Sequence, residues 1–357
     1  MYTLSLFNLN CDVINKDQIL MLETVLLTGG AGFIGSHICH ELFRAGKKPV
    51  VFDNLSNSKA SVLDRVSKIT GQPVEFVAGD IRDSGLLRRV IQDFGISSVI
   101  HLAGLKAVGE SVSTPLAYYD NNVVGTLRLL EAMQGTNVRS LVFSSSATVY
   151  GDPIKLPIDE SHALSATNPY GRTKLIIEDM LRDLYRSDDR WHICLLRYFN
   201  PVGAHESGLI GEDPNGIPNN LMPYILKVAA GEFKELTVWG SDYDTIDGTG
   251  VRDYIHVVDL ADGHVRAMEQ LQSMKCEAIN LGTGCGSSVL EVVKTFERVN
   301  GVRVPYVVKD RRPGDVPACY AQASLARTRL GWNPKHNLDD MCRDAWKWQE
   351  MSSRQNT

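Results

Sequence analysis

Tyr170 and Lys174 stand four residues apart in Asn168-Pro169-Tyr170-Gly171-Arg172-Thr173-Lys174. Pro169 suits the first turn of a helix, and on a helix residues four apart share one face. A free tyrosine has a pKa near about 10 and is a poor base at neutral pH. A nearby ammonium stabilises the phenolate and lowers that pKa. A tyrosine so placed can take a proton from a carbinol oxygen while a hydride leaves the same carbon. Alone, the spacing marks only a helix face; the chemistry also needs a hydride acceptor.

Upstream residues can hold such an acceptor. Val25-Leu26-Leu27-Thr28 runs into Gly29, and Gly32 and Gly35 follow at three-residue spacing before an apolar-periodic segment. This reads as strand, tight turn and helix in the dinucleotide-binding pattern. One glycine permits the turn, one lets the backbone approach a pyrophosphate, and one lets helix and strand pack closely. The anion then sits at a helix N-terminus. Asp53 ends the next apolar run, eighteen residues beyond Gly35. A carboxylate there accepts from both ribose hydroxyls and repels a 2′-phosphate, which favours NAD over NADP. Ser144-Ser145-Ser146 follows the apolar run Leu141–Phe143. A hydroxyl there can reach the same reacting oxygen, although serines after a strand are commonly turn residues.

The elements that must position these groups alternate from residue 24 onward. Predicted strands are Thr24–Thr28, Pro49–Asp53, Val74–Ala78, Ser98–Leu102, Leu141–Ser144 and Ile193–Arg197. Helices are predicted at Phe33–Ala45, Leu116–Met133 and Pro169–Tyr185. Near-continuous apolar strands joined by helices predict an α/β fold with a doubly wound, Rossmann-type parallel sheet. Ligands of such sheets bind at the carboxyl ends of the strands. After Asn200 the pattern breaks into Gly-, Pro- and Asn-rich segments and a polar loop at 240–250. We expect an N-terminal extension over 1–22, a nucleotide-binding domain over 23–200 to which 251–283 returns, and a smaller mixed α/β lobe over 201–250 and 284–350. Residues 1–20 show no apolar pattern and are expected to be dispensable, with Met21 as a possible start.

The chain has 357 residues, 43% hydrophobic and 22% charged, enough for a large core and more than one lobe. A net charge of −5 with no long basic run argues against nucleic acid or an anionic membrane as partner. No apolar run is long enough to span a bilayer. The seven cysteines are scattered without a Cys-x-x-Cys pair, which argues against a disulfide framework or zinc site and fits the cytoplasm. His37 and His40, three apart on a predicted helix, read as packing or surface residues, and no metal is expected.

The chain resembles the extended short-chain dehydrogenase/reductase family, and within it the UDP-glucose 4-epimerase (UDP-galactose 4-epimerase) branch, from about residue 24 to 350. The stretches that carry the resemblance include LLTGGAGFIGSH, FDNLSNSKASVL, HLAGLKAVGESV, FSSSATVYGD, NPYGRTK, GEDPNGIPNNLMPYI, GTGVRDYIHVVDLADGH and RRPGDVPA. It implies Tyr170 as base, Lys174 as its partner and Ser146 as the third catalytic residue. It places Phe33, Ile34, Asp53, Asn54, Asn57, Ser58, Asp80, Ile81, Ala103, Gly104, Lys106, Asn121, Lys174 and Tyr198 around NAD. It places Ser146, Tyr170, Phe199, Asn200, Asn220, Leu221, Arg252, Arg312 and Asp315 around a UDP-sugar. Charge agrees with the last set, because two guanidinium forks suit a diphosphate.

The implied activity is NAD-dependent interconversion of UDP-glucose and UDP-galactose through a 4-keto sugar, within galactose metabolism, by a homodimer. Cys319 falls near the family's size gate, where a small residue leaves room for N-acetyl sugars. Rival chemistries on this fold are dehydration or decarboxylation of a sugar nucleotide. The resembled dehydratases carry an acidic pair where this chain has Ala147-Thr148. A NAD-sensing protein without catalysis is the non-enzymatic rival. The chain departs from the pattern at Leu102 and Gln322, the latter expected to affect a helix cap.

Overall fold

A computed structural model describes residues 23–312 and 315–355. The expected extension and Met21 lie outside the described residues.

Seven strands form the main sheet: β1 (Thr24–Thr28), β2 (Lys48–Asp53), β3 (Glu75–Ala78), β4 (Ser98–His101), β5 (Ser140–Ser146), β6 (His192–Tyr198) and β7 (Cys276–Leu281). Their order is β7-β6-β5-β4-β1-β2-β3, and every neighbouring pair is parallel. The chain reverses its direction of travel across the sheet between β1 and β4, which opens a crevice at their carboxyl ends. Side chains alternate between two cores, as strand geometry requires. Val25, Leu27, Val51, Ile100 and Val142 face one cluster, with helices Phe33–Arg44 and Val257–Gln270. Leu26, Val50, Phe52, Val99, Leu141 and Phe143 face the other, with Leu129 of helix Gly125–Gln134 and Ile177 of helix Pro169–Ser187. This double burial explains why the strands read as unbroken apolar runs.

Of residues 251–283, Cys276–Leu281 is the edge strand of the main sheet, and the preceding helix packs on that sheet. Val251–His256 instead pairs with Asn200–Val202, Gly286–Ser288 and Ala318–Cys319 in a small second sheet. A further parallel pair, Leu236–Trp239 with Tyr306–Lys309, lies beside it. These strands pack with helices Leu221–Ala229, Val289–Asn300 and Leu338–Gln355 around a third core that includes Met222, Val238, Tyr254 and Phe296.

Three expectations are corrected. The stretch 116–133 is not one regular helix: Pro115–Tyr118 and Gly125–Gln134 are α-helical, with a π-helical turn at Tyr119–Val124 between them. The serine triplet does not follow β5; it is the end of β5, and all three serines are buried. Gln322 caps no helix. The next helix starts at Ser324 with Ala323 at its N-cap, and the Gln322 N–H donates to Ile158 O at 2.7 Å. His37 and His40 are buried packing residues, and burial holds His37 down to about 3, neutral at physiological pH.

Candidate active site

The β1 turn is built as tightly as its glycines allow. Gly29 has φ +71°, and a Cβ there would stand 2.8 Å from the Ala103 nitrogen in the β4 loop. Gly35 presses on the Gly29 carbonyl, so any Cβ would collide with it. Gly32 is the N-cap of helix Phe33–Arg44, and no side chain caps that helix. A Cβ at Gly32 would meet only Gly29 O, at 3.3 Å, so its outer side is open. The first turn, Phe33 and Ile34 included, holds no acid that would repel an anion. This is an anion cradle by geometry and by dipole.

Asp53 closes β2 beside that cradle. Its carboxylate accepts from Ala31 N–H (3.1 Å), Leu55 N–H (2.8 Å) and the Ser58 hydroxyl (3.0 Å). Asn54 donates to Asp80 just beyond β3 at 3.2 Å. Arg82 holds the Asp80 carboxyl far below the usual carboxylate range. Asn57 lies in the same loop as Ser58, and Ile81 is buried beside Gly125. Ala103 and Gly104 follow β4, and Gly104 lies against the Asn122 side chain. Lys106 pairs with Glu212 at 3.0 Å.

At the end of β5 the three serines have three different partners. Ser144 Oγ is 2.7 Å from His264 Nε2. His264 Nδ1 lies 2.8 Å from Leu260 O, and a carbonyl only accepts, so Nε2 is the acceptor and Ser144 donates. Ser145 donates to Glu178 Oε1 at 2.6 Å. Ser146 Oγ accepts from the Thr148 N–H at 3.2 Å and the Thr148 hydroxyl at 3.0 Å, and its hydroxyl lies close enough to Tyr170 to lower the phenol pKa. Tyr170 is 7% exposed and burial pushes its phenol up to about 12, with the Ser146 hydroxyl acting the other way.

Lys174 is also buried, and burial lowers it to about 8 against the opposing pull of Glu178. Its Nζ donates to Ser144 O at 2.7 Å and stands 5.9 Å from the Tyr170 ring centre. The shared helix face is there, but the ammonium reaches the strand carbonyl and not the phenol. One turn further, Glu178 takes a two-pronged bond from Arg197 of β6, at 2.9 and 2.6 Å. Arg197 also donates to Tyr150 OH at 3.0 Å, which donates to Asn280 Oδ1 at 2.7 Å. This network holds helix Pro169–Ser187, β5, β6 and β7 in fixed relation.

The second lobe contributes charge and a wall. Arg252 lies 3.7 Å and Arg312 3.2 Å from the Asp315 carboxylate. Arg252 also donates to Val251 O and Val316 O at 2.9 Å each. Cys319 is in register with Arg252 on the neighbouring strand. It packs on an apolar cluster of Val149, Tyr150, Ile158, Phe199 and Ala321. Asn200 begins the strand beside Tyr254. Asn220 stands at the N-cap position of helix Leu221–Ala229 without a side-chain bond to the helix, and donates to Glu212 at 3.3 Å. Tyr198 ends β6 with its ring 6.0 Å from His264.

The residues read from the sequence thus lie at or just past the carboxyl ends of β1 to β6, in the π-turn (Asn121) and on helix Pro169–Ser187, and in the lobe on strands (Asn200, Arg252, Cys319), at a helix start (Asn220, Leu221) and in the loop that holds Arg312 and Asp315. Others emerge only here. Asn122, buried in the π-turn, donates to Leu105 O (3.0 Å) and Thr173 Oγ1 (3.1 Å) and accepts from Leu105 N (2.8 Å), tying the β4 loop to the Tyr170 helix. Trp239 presents a half-exposed ring with Arg312 Cζ 5.7 Å from its centre. Glu178 was detectable as the next residue on the Tyr170–Lys174 face; Asn122 and Trp239 carried no local signal.

Comparison with known proteins fits this geometry. A family model described as GDP-mannose 4,6 dehydratase matches residues 26–345. The chain is 58% identical over 329 residues to UDP-glucose 4-epimerase of Bacillus subtilis, covering 92% of this chain and 97% of that protein. Among solved structures, UDP-glucose-4-epimerase of Stenotrophomonas maltophila, with bound NAD and formylated UDP-arabinopyranose, superposes with a TM-score of 0.92 at 53% identity, covering 93% of this chain and 99% of the other. The Bifidobacterium longum enzyme in complex with NAD+ and UDP gives 0.90 at 55% identity, covering 92% and 99%. With a nucleotide cradle, a Ser–Tyr–Lys cluster and relatives this similar over nearly their whole length, the chain belongs to the UDP-glucose 4-epimerase family of extended short-chain dehydrogenases/reductases.

Proposed function

We propose that this chain is an NAD-dependent isomerase that interconverts UDP-glucose and UDP-galactose through a 4-keto sugar. The observation that carries the reading is the buried cluster of Ser146, Tyr170 and Lys174 at the carboxyl end of β5, with Lys174 held by Ser144 O beside the Tyr170 ring. NAD, when bound, takes a hydride from carbon 4 of the sugar and returns it to the opposite face. The open side of Gly32, the uncapped helix N-terminus and the Asp53 carboxylate fit its pyrophosphate and adenosine ribose.

Tyr170 takes the proton of the sugar 4-hydroxyl and later gives it back. Ser146 holds that oxygen in line. Lys174 supplies positive charge behind the phenol, and the protein alone leaves the phenol protonated because burial outweighs the effect of the Ser146 hydroxyl. Arg252 and Arg312 hold the diphosphate in place of Asp315, with Trp239 as an apolar platform for the base. Phe199, Asn200, Asn220 and Leu221 border the sugar. Anchoring the nucleotide lets the keto sugar turn over. Ala147 and Thr148 offer no carboxylate for the carbon 5 proton that dehydration must lose, and this favours epimerisation. Purified protein given UDP-galactose should yield UDP-glucose without net reduction of added NAD.

We divide the chain into a nucleotide-binding domain, 23–200 with 257–283, and a UDP-sugar lobe, 201–256 with 284–350, because the strand Val251–His256 pairs within the lobe. We also propose a homodimer: Val108, Val112 and Leu116, at four-residue spacing, are exposed apolar residues, as is Leu127 nearby. A cytoplasmic setting is supported by cysteine usage, and no helix among the described residues is long and apolar enough to cross a membrane.

Asp53 sets cofactor choice. Nucleotide released by denaturing the purified protein should be NAD or NADH. Asp53→Ser should raise the KM for NAD and admit NADP, because the 2′-phosphate no longer meets a carboxylate. An Asp53→Ser protein that still rejects NADP and binds NAD unchanged would remove Asp53 from the ribose site.

Cys319 sets substrate size. The Tyr320 ring lies over Gly286, 3.1 Å from where a Cβ there would be, so it points away from the Cys319 side of the strand. The wall at Cys319 is therefore small and apolar, and suits an acetyl methyl. The enzyme should also interconvert UDP-N-acetylglucosamine and UDP-N-acetylgalactosamine. Cys319→Tyr should cut the N-acetyl activity at least about tenfold more than the hexose activity, since steric overfilling of a packed site costs about 1–3 kcal/mol. Equal loss on both substrate pairs would end the size argument.

A further inference from the structure

Thr148 lies two residues past Ser146, on the short helical turn Ala147–Tyr150. Its backbone N–H donates to Ser146 Oγ at 3.2 Å and its hydroxyl donates to the same oxygen at 3.0 Å. A serine hydroxyl has two lone pairs and one hydrogen. Thr148 fills both lone pairs. With both bonds from Thr148 in place, the one remaining hydrogen points away from Thr148 and is free for the reacting oxygens beside the buried Tyr170. Nothing at Ser146 itself imposes this direction; a free hydroxyl rotates to suit its neighbours.

Thr148 is itself wedged in place. A Cβ on Gly171, the residue after Tyr170, would stand 2.9 Å from Thr148 O and 3.2 Å from both Thr148 Cβ and Oγ1. The threonine thus fills the angle between the end of β5 and the first turn of the Tyr170 helix. It spans the two elements whose relative position sets the Ser146–Tyr170 distance.

We propose that Thr148 is a positioning residue that fixes the polarity of Ser146, making it a hydrogen-bond donor to the phenol oxygen and, in turn, to the sugar 4-oxygen. This rests on the epimerase reading given above. A donor to that oxygen stabilises phenolate, whereas an acceptor stabilises phenol and opposes proton removal. Without the Thr148 hydroxyl, Ser146 regains a lone pair that can accept from the phenol. The other titratable groups around the phenol are Lys174 on its own helix and Tyr118 and Tyr198 on neighbouring elements. None of them touches Ser146 through Thr148, so they stay constant in the comparison.

The test compares Thr148→Val, which keeps the shape and loses the hydroxyl, with Thr148→Ser, which keeps the hydroxyl, both as NAD-loaded protein. With UDP-galactose, Thr148→Val should lose about tenfold or more in kcat, the worth of one hydrogen bond, with KM changed less than about threefold. The ascending limb of its pH–rate profile should move up by about half a unit or more. Thr148→Ser should recover to within about threefold and restore the limb. A second readout needs no turnover: the phenolate absorbance of each protein minus that of its Tyr170→Phe counterpart, followed with pH. That titration should rise in Thr148→Val and not in Thr148→Ser. An unshifted titration and profile in Thr148→Val, or a Thr148→Ser protein as impaired as Thr148→Val, overturns the assignment. Absence of turnover in the parent overturns the epimerase reading instead, and the titration still decides the role of Thr148.

Discussion

Tyr170→Phe is expected to lose about 10²–10⁴-fold in kcat, the usual worth of a positioned proton-transfer group, while the protein keeps its bound nucleotide. The phenol oxygen is the only atom removed. The ring stays, 7% exposed, so packing of helix Pro169–Ser187 on β5 is retained. Ser146 keeps both bonds from Thr148 and Lys174 keeps its bond to Ser144 O. Lost rate therefore reports lost proton transfer. Steady-state turnover of UDP-galactose and the absorbance of co-purified nucleotide measure the two halves. Turnover within tenfold of the parent would remove Tyr170 from the chemistry.

Glu178→Leu should be the most damaging change outside the reacting groups. Glu178 is fully buried and Arg197 is 1% exposed. Burial alone would raise the Glu178 carboxyl, but bonds from Arg197 and Ser145 and the Arg182 charge leave it lowered. Removing it strands a guanidinium in the core beneath the site. Breaking a buried pair by one partner costs about 3–5 kcal/mol. A fall in Tm of about 5–15 °C, followed by circular dichroism, is expected. Lys174 also loses the charge that opposes its desolvation, so its ammonium should deprotonate below about 8. The double variant Glu178→Leu/Arg197→Met should regain most of the stability, because no unpaired charge remains. A Tm shift under about 2 °C in Glu178→Leu would mean the pair carries little of the fold.

Much of this was legible in the sequence, and the limits have physical causes. β1 was read to its residue because an apolar run ended at a glycine that only a tight turn explains. Tyr170 and Lys174 were placed on one helix face by spacing alone. Spacing could not show that the ammonium bonds Ser144 O, since that carbonyl comes from a strand thirty residues earlier. The serine triplet was placed after β5 as a source of a catalytic hydroxyl, with a turn as the competing reading, because buried strand hydroxyls need partners that spacing does not show. The partners of Ser144 and Ser145, His264 and Glu178, are distant in sequence, and only that of Ser146, Thr148, is local. The π-turn at Tyr119–Val124 was invisible because the stretch keeps a helical apolar period while Asn122 turns inward to Leu105 and Thr173. Residues 251–283 were expected to return to the main sheet as a block, and only strand pairing shows that Val251–His256 joins the second sheet while Cys276–Leu281 edges the first.

The central claim is that the hydrogen on carbon 4 leaves and returns within one enzyme-bound cycle while Tyr170 handles only the oxygen-bound proton. UDP-galactose deuterated at carbon 4 tests it directly. Incubated with the purified, NAD-loaded protein in ordinary water, it should give UDP-glucose that retains the deuterium at carbon 4, read by mass spectrometry and proton NMR. Loss of the label to solvent, with a proton in its place, would contradict the account.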